Sequence, residues 1–120
     1  MKQNELHTRL SRYRQITLSV TGRKSGHTIS MPVWFVLEGE KLYLLPVRGS
    51  ETQWYKNVLQ DPQIRIDARG ETAVLRAVPI TDANSVKSVI EKFREKYGAN
   101  NVKKYYSKFD VAVVTDVAGF

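Results

Sequence analysis

Gly22 and Gly26 bracket Arg23, Lys24 and Ser25, with apolar alternating segments on either side. Glycine adopts positive φ at little cost, so the chain turns sharply there. The turn presents backbone N–H groups, a guanidinium and an ammonium together, a set that suits a phosphate or carboxylate. Taken alone, it is equally a hairpin turn with two solvated charges. A second cation beside a glycine occurs in Val47-Arg48-Gly49-Ser50, just before a helix that carries Gln53, Trp54 and Asn57. The first N–H groups of a helix are unpaired and attract anions. An aromatic pair, Tyr105 and Tyr106, arrives late in the chain. If the turn and the helix start share one mouth, Arg23, Lys24 and Arg48 converge on a phosphate. Trp54 and the tyrosines then wall a flat ring. Trp54 fits the core as well, and Asn57 fits a helix cap. The helical spacing of Val102, Tyr105, Tyr106 and Phe109 puts one tyrosine inside and turns the other outward.

Other chemistries find little support. There is no cysteine, and His7 and His27 are too few and too far apart for a metal site. No Ser/His/Asp set is credible. Glu38 and Glu40 sit in a hairpin turn as solvated charges, which weighs against hydrolysis. No apolar run approaches transmembrane length. No signal-peptide core follows Met1-Lys2-Gln3-Asn4-Glu5, so a cytoplasmic protein is expected. The net charge of +7 calls for anionic partners. Nucleic acid is the lesser candidate, because the aromatics are not interleaved with cations along exposed strands.

These residues need elements to position them. A chain of 120 residues fits one domain, 1–120. Leu6, Leu10 and Tyr13 form a helical stripe over about Asn4–Arg12. Ile16, Leu18 and Val20 alternate as a half-buried strand before the Gly22–Gly26 turn. His27–Leu37 and Lys41–Val47 pair as a hairpin, and Pro32 marks an edge or a bulge. Ser50 or Thr52 caps a helix over Glu51–Gln60, with Trp54, Val58 and Leu59 inward. Gln63–Arg69 and Thr72–Ile80 form a second hairpin. Asp82 or Asn84 starts a helix with Val86, Val89, Ile90, Phe93 and Tyr97 on one face, and Gly98 ends it. Phe109 to about Val117 is the last strand. This predicts an α+β, mainly β fold: a six-stranded antiparallel split β-barrel with two or three flanking helices. The aromatic stretch Val33-Trp34-Phe35-Val36 cannot bury on one side of a single small barrel, so a homodimer is expected.

The motifs have a likeness. The order Leu18-Ser19-Val20-Thr21-Gly22-Arg23-Lys24-Ser25-Gly26, Pro32-Val33-Trp34-Phe35, Arg48-Gly49-Ser50 and Trp54-Tyr55-Lys56-Asn57-Val58 with Asp61-Pro62 resembles the deazaflavin-dependent nitroreductase family. That family belongs to the split β-barrel, flavin-reductase-like superfamily, with the pyridoxamine-phosphate-oxidase-like proteins. The resemblance covers about Gln15–Asp67 and, loosely, the last strand. It implies coenzyme F420, or FMN in some relatives, in a groove on the barrel. It assigns the phosphate side to Arg23, Lys24, Ser25 and Gly26, and places Val47, Arg48, Gly49 and Ser50 near the coenzyme. It lines the site with Gln53, Trp54 and Asn57, and gives Tyr105 or Tyr106 the substrate side. The implied reaction is hydride transfer to a small acceptor such as a quinone, enone or nitro compound. A non-catalytic coenzyme carrier is the alternative. The chain departs from many members at Ile29, where they have a basic residue. It also has a single Gly49 and a shortened loop before Trp54. Hydride transfer needs no protein nucleophile, so the lack of a triad is consistent with it.

Overall fold

A computed structural model describes residues 2–118, so Met1, Gly119 and Phe120 of the expected 1–120 domain lie outside the described residues. Among the described residues, eight strands and four α-helices replace the expected six strands and two or three helices. The strands are β1 (Ile16–Thr21), β2 (Thr28–Val33), β3 (Phe35–Glu38), β4 (Lys41–Leu44), β5 (Gln63–Ala68), β6 (Glu71–Arg76), β7 (Val78–Ile80) and β8 (Ala112–Asp116). The helices are α1 (Lys2–Arg12), α2 (Gln53–Gln60), α3 (Ala83–Tyr97) and α4 (Ala99–Tyr105). Two four-stranded sheets form, ordered β2-β1-β5-β6 and β3-β4-β8-β7. All pairings within them are antiparallel.

Two expected strands each break once, and this raises the count. The chain leaves β2 through Trp34 and enters β3 in the other sheet. It leaves β6 through Ala77 and enters β7 in the same way. Each outer strand of the first sheet thus continues into an outer strand of the second. The Ala77 N–H is satisfied by the Pro62 carbonyl at 2.8 Å. Pro32, which has no N–H, sits in edge strand β2 opposite Thr17.

The bend at Trp34 overturns the reason given for a dimer. Phe35 is fully buried in the core between the sheets, with Leu18, Leu44 and Ile66. Val36 is buried on the opposite face of β3, with Val89 and Phe93 of α3. A strand covered on both faces reads as a continuous apolar run rather than an alternating one. Here the cover comes from within the chain.

The helices follow from local signals. Asp82 caps α3, its carboxylate accepting from the Ser85 N–H at 2.9 Å. Val86, Val89, Ile90, Phe93 and Tyr97 are its buried face, and Gly98, at φ +95°, ends it. α2 begins two residues later than expected, after a 3-10 turn at Gly49–Glu51. It buries Trp54, Tyr55, Asn57 and Val58, and leaves the expected core residue Leu59 exposed. Among the described residues, no helix is long and apolar enough to cross a membrane.

Candidate functional site

β1 and β2 pair from Ile16↔Val33 to Thr21↔Thr28, which closes the basic turn between them. The Gly22 N–H donates to the His27 carbonyl at 2.8 Å, and the Gly26 N–H donates to the Gly22 carbonyl at 2.9 Å. Ser25 Oγ accepts from the His27 N–H at 3.1 Å. A Cβ on Gly22 would lie 2.8 Å from that Oγ and 3.1 Å from Ile29 Cδ1, so a larger residue there would have to push these side chains aside; the positive φ of the turn is at Gly26, +74°. Lys24 is exposed, and among the described residues it has no ion-pair partner.

Arg23 folds back onto α2. Asn57 Oδ1 accepts from the Arg23 N–H at 3.1 Å and from Nη1 at 2.7 Å. Gln53 Oε1 accepts from Nη2 at 2.9 Å. Asn57 is buried and does not reach the groove as expected. A buried amide oxygen needs donors, and the basic turn supplies them. Both side-chain acceptors are neutral, so the guanidinium keeps its charge.

The Arg48-Gly49-Ser50 segment departs further from expectation. Ser50 donates from its N–H to Asp110 Oδ1 at 2.9 Å, and from Oγ to Oδ2. The start of the 3-10 turn therefore already holds an anion from the same chain. Partial burial opposes the charge on Asp110. The Ser50 hydroxyl and N–H, with Lys108 alongside, outweigh that and hold its carboxyl below the usual range. Gly49 stands at φ +55°, and a Cβ on it would overlap Asp110 Oδ1. Thr52 Oγ1 accepts from the Arg48 N–H at 2.8 Å instead of capping α2. Asp110 was not a sequence candidate. It lies sixty residues from Ser50, and nothing local announces the pairing.

A cleft of about 310 Å³ lies at the Trp34 corner. Trp34, Val47, Trp54, Tyr105 and Tyr106 line it, and among the described residues no charged one lines it. Four of these were sequence candidates. Trp34 was read there only as part of an apolar stretch. It stacks on Tyr97 and meets the edge of Tyr105 at 4.7 Å between centroids. Tyr105 is 59% exposed and Tyr106 only 4%. Burial drives the Tyr106 hydroxyl pKa well upward. Tyr106 is thus packed between Trp34 and Phe93, and Tyr105 is the tyrosine that faces out. Arg23, Lys24, Ser25, Gly26, Arg48, Gly49, Ser50, Gln53 and Asn57 do not line the cleft. The Arg23 guanidinium meets the start of α2 through Gln53, whereas Arg48 meets Thr52 only through its backbone N–H.

The model of the F420H(2)-dependent quinone reductase family matches residues 1–117. The chain belongs to that family. It is an oxidoreductase whose cofactor is coenzyme F420. No curated protein matches it. Among solved structures, this reductase is similar to an F420-H2-dependent reductase at 17% identity and TM-score 0.67, covering 86% of this chain and 94% of that one. A domain-swapped dimer matches at 17% identity and TM-score 0.68, covering 86% and 80%. A pyridoxamine 5'-phosphate oxidase-like protein from Listeria innocua matches at 11% identity and TM-score 0.69, covering 97% and 92%. At these identities the likeness to solved structures is one of fold.

Proposed function

We propose that this reductase passes a hydride from reduced coenzyme F420 to a small, neutral, planar acceptor such as a quinone, enone or nitro compound. The cleft at Trp34 carries the reading. It is mainly apolar and aromatic-walled, and among the described residues no charged side chain lines it. Such a cleft suits a flat uncharged ring and disfavours an ionic one. The uncancelled charges of Arg23 and Lys24, with Ser25 and Gly26, suit the coenzyme's phosphate.

The bound coenzyme supplies the hydride; the chain positions and shields. Val47 and Trp54 offer apolar walls. Gln53 and Asn57 act through Arg23, as positioning residues. Tyr105 presents an exposed hydroxyl beside Trp34, placed to orient an acceptor or give it a proton. We read the ring of strands as a split barrel of the flavin-reductase type. The similar domain-swapped dimer supports a homodimer, and a cytoplasmic location belongs to the same reading.

The test follows coenzyme reoxidation by absorbance with a quinone, an enone and a nitroaromatic. Reoxidation that depends on the acceptor is expected. Tyr105→Phe should lower turnover on the order of ten- to a thousandfold, the range of a positioned proton donor, with coenzyme affinity kept. No acceptor-dependent reoxidation would sink the reading.

A further inference from the structure

Trp34 walls the cleft from a gap between two strands. The β1–β2 ladder ends at Val33 and the β3–β4 ladder begins at Phe35, so no ladder pairing spans Trp34. Its side chain is half-buried, and other side chains set its direction. Three aromatic rings meet it. Tyr105 offers an edge and is itself exposed, and Tyr106 is tilted at 6.0 Å. Tyr97 lies parallel to it at 4.2 Å between centroids. A flat contact of that kind fixes both the tilt and the depth of the indole.

Tyr97 is held on every side. It is buried at the last turn of α3, with Phe93 packed 5.9 Å away. Its hydroxyl accepts from the Phe35 N–H at 3.0 Å, and the Arg14 and Phe35 carbonyls lie 2.7 and 2.8 Å from it. Arg14 and Lys96 stand 4.9 and 5.1 Å from its ring centroid. Lys96 Nζ also donates to the Phe35 carbonyl at 2.8 Å, which ties α3 to the strand that follows Trp34. Tyr97 does not itself line the cleft. We propose that Tyr97 is a positioning residue that fixes the cleft at Trp34, and so makes the reductase select acceptors by flatness. The inference rests on reading that cleft as the acceptor site. A flat acceptor fits without moving Trp34. A group standing out of the ring plane displaces the indole, which then leaves its stack on Tyr97. Close packing passes that cost on to the acceptor.

Two variants separate the ring from its hydroxyl: Tyr97→Phe keeps the stack and Tyr97→Leu removes it. The first measurement needs no acceptor. Trp34 and Trp54 are the two tryptophans of the chain, so in a Trp54→Phe background the fluorescence comes from Trp34. Tyr97→Leu should raise its quenching by acrylamide, and Tyr97→Phe should not. The second measurement uses the full chain with reduced coenzyme F420. It compares kcat/KM for naphthoquinone, which is flat, with that for tert-butyl-benzoquinone, whose methyl groups leave the ring plane. Wild type should favour the flat quinone. Tyr97→Leu should shrink that preference on the order of tenfold, the discrimination an apolar pocket gives against a misfit group, and Tyr97→Phe should keep it. Differences in reduction potential cancel when the ratio is compared across variants, and a loss of folded protein lowers both rates alike. An unchanged ratio or unchanged quenching in Tyr97→Leu overturns the proposal. If Tyr97→Leu does not fold, Trp34→Phe removes the indole from the other side of the stack and should shrink the ratio; an unchanged ratio there also overturns it. Wild type that reduces neither quinone sinks the acceptor reading and selection by flatness with it, while the quenching contrast still decides whether Tyr97 holds Trp34.

Discussion

Trp34 lies flat against Tyr97, with ring centroids 4.2 Å apart and planes 5° apart. A residue at the end of α3 thereby sets the angle of a cleft wall at the point where β2 becomes β3. The Tyr97 hydroxyl fixes the same corner, accepting from the Phe35 N–H at 3.0 Å and lying 2.7 Å from the Arg14 carbonyl.

Tyr97→Phe keeps the stacked ring and removes that hydroxyl. The buried Phe35 N–H loses its partner, at a cost of about 1–3 kcal/mol. Urea unfolding should show a lower midpoint with an unchanged slope. An unaltered midpoint would mean the hydroxyl is dispensable to the corner.

Asn57 and Lys24 should separate structure from binding. Asn57→Ala removes the acceptor for two Arg23 donors, lowering stability by about 1–3 kcal/mol and coenzyme affinity with it. Lys24→Ala should leave stability within about 0.5 kcal/mol. It should still weaken coenzyme binding by about 1.5–3 kcal/mol, as measured by titration. If Lys24→Ala binds coenzyme normally, the basic turn is only a turn.

The Asp110 contact makes a pH prediction. Its folded pKa lies below the ordinary value of 3.8. Its contribution is therefore present above 3.8 and is lost as pH falls through the lower folded value. The stability gap between wild type and Asp110→Asn should be open at neutral pH and close in acid. Gly49→Ala, which forces a Cβ into the same carboxylate at positive φ, should destabilise by about 2 kcal/mol or more. A gap that ignores pH would show that Asp110 gains nothing from its charge.

Lys96 has the opposite sign. Its folded value, about 8, lies below the ordinary 10.5. Between these values the unfolded chain binds more protons, so wild-type stability should rise with pH relative to Lys96→Met. Thermal melts at several pH values across that window check it. A flat difference would place the amine in water.

Local signals were legible in the sequence, and distant ones were not. Asp82, Gly98 and the apolar face from Val86 to Tyr97 follow from a 3.6-residue period that needs no partner. The β1–β2 pairing follows from alternation on both sides of a glycine turn. The bend at Trp34 left no such mark, because β3 is buried on both faces at Phe35 and Val36 and loses its alternation. In α2 the expected inward stripe held at Trp54 and Val58, while Leu59 lies exposed and Tyr55 is buried. The Ser50–Asp110 and Arg23–Asn57 contacts span sixty and thirty-four residues. Polar side chains give no sign of such partners until the fold brings them together.

The two amides that hold Arg23 have a thermodynamic consequence. A free arginine samples many rotamers, and fixing one costs up to about 2 kcal/mol of entropy. Gln53 and Asn57 take up that cost when the chain folds. An arriving anion then meets a guanidinium that is already ordered, so more of the attraction is left to appear as affinity. A carboxylate in place of either amide would order the side chain equally well and cancel its charge.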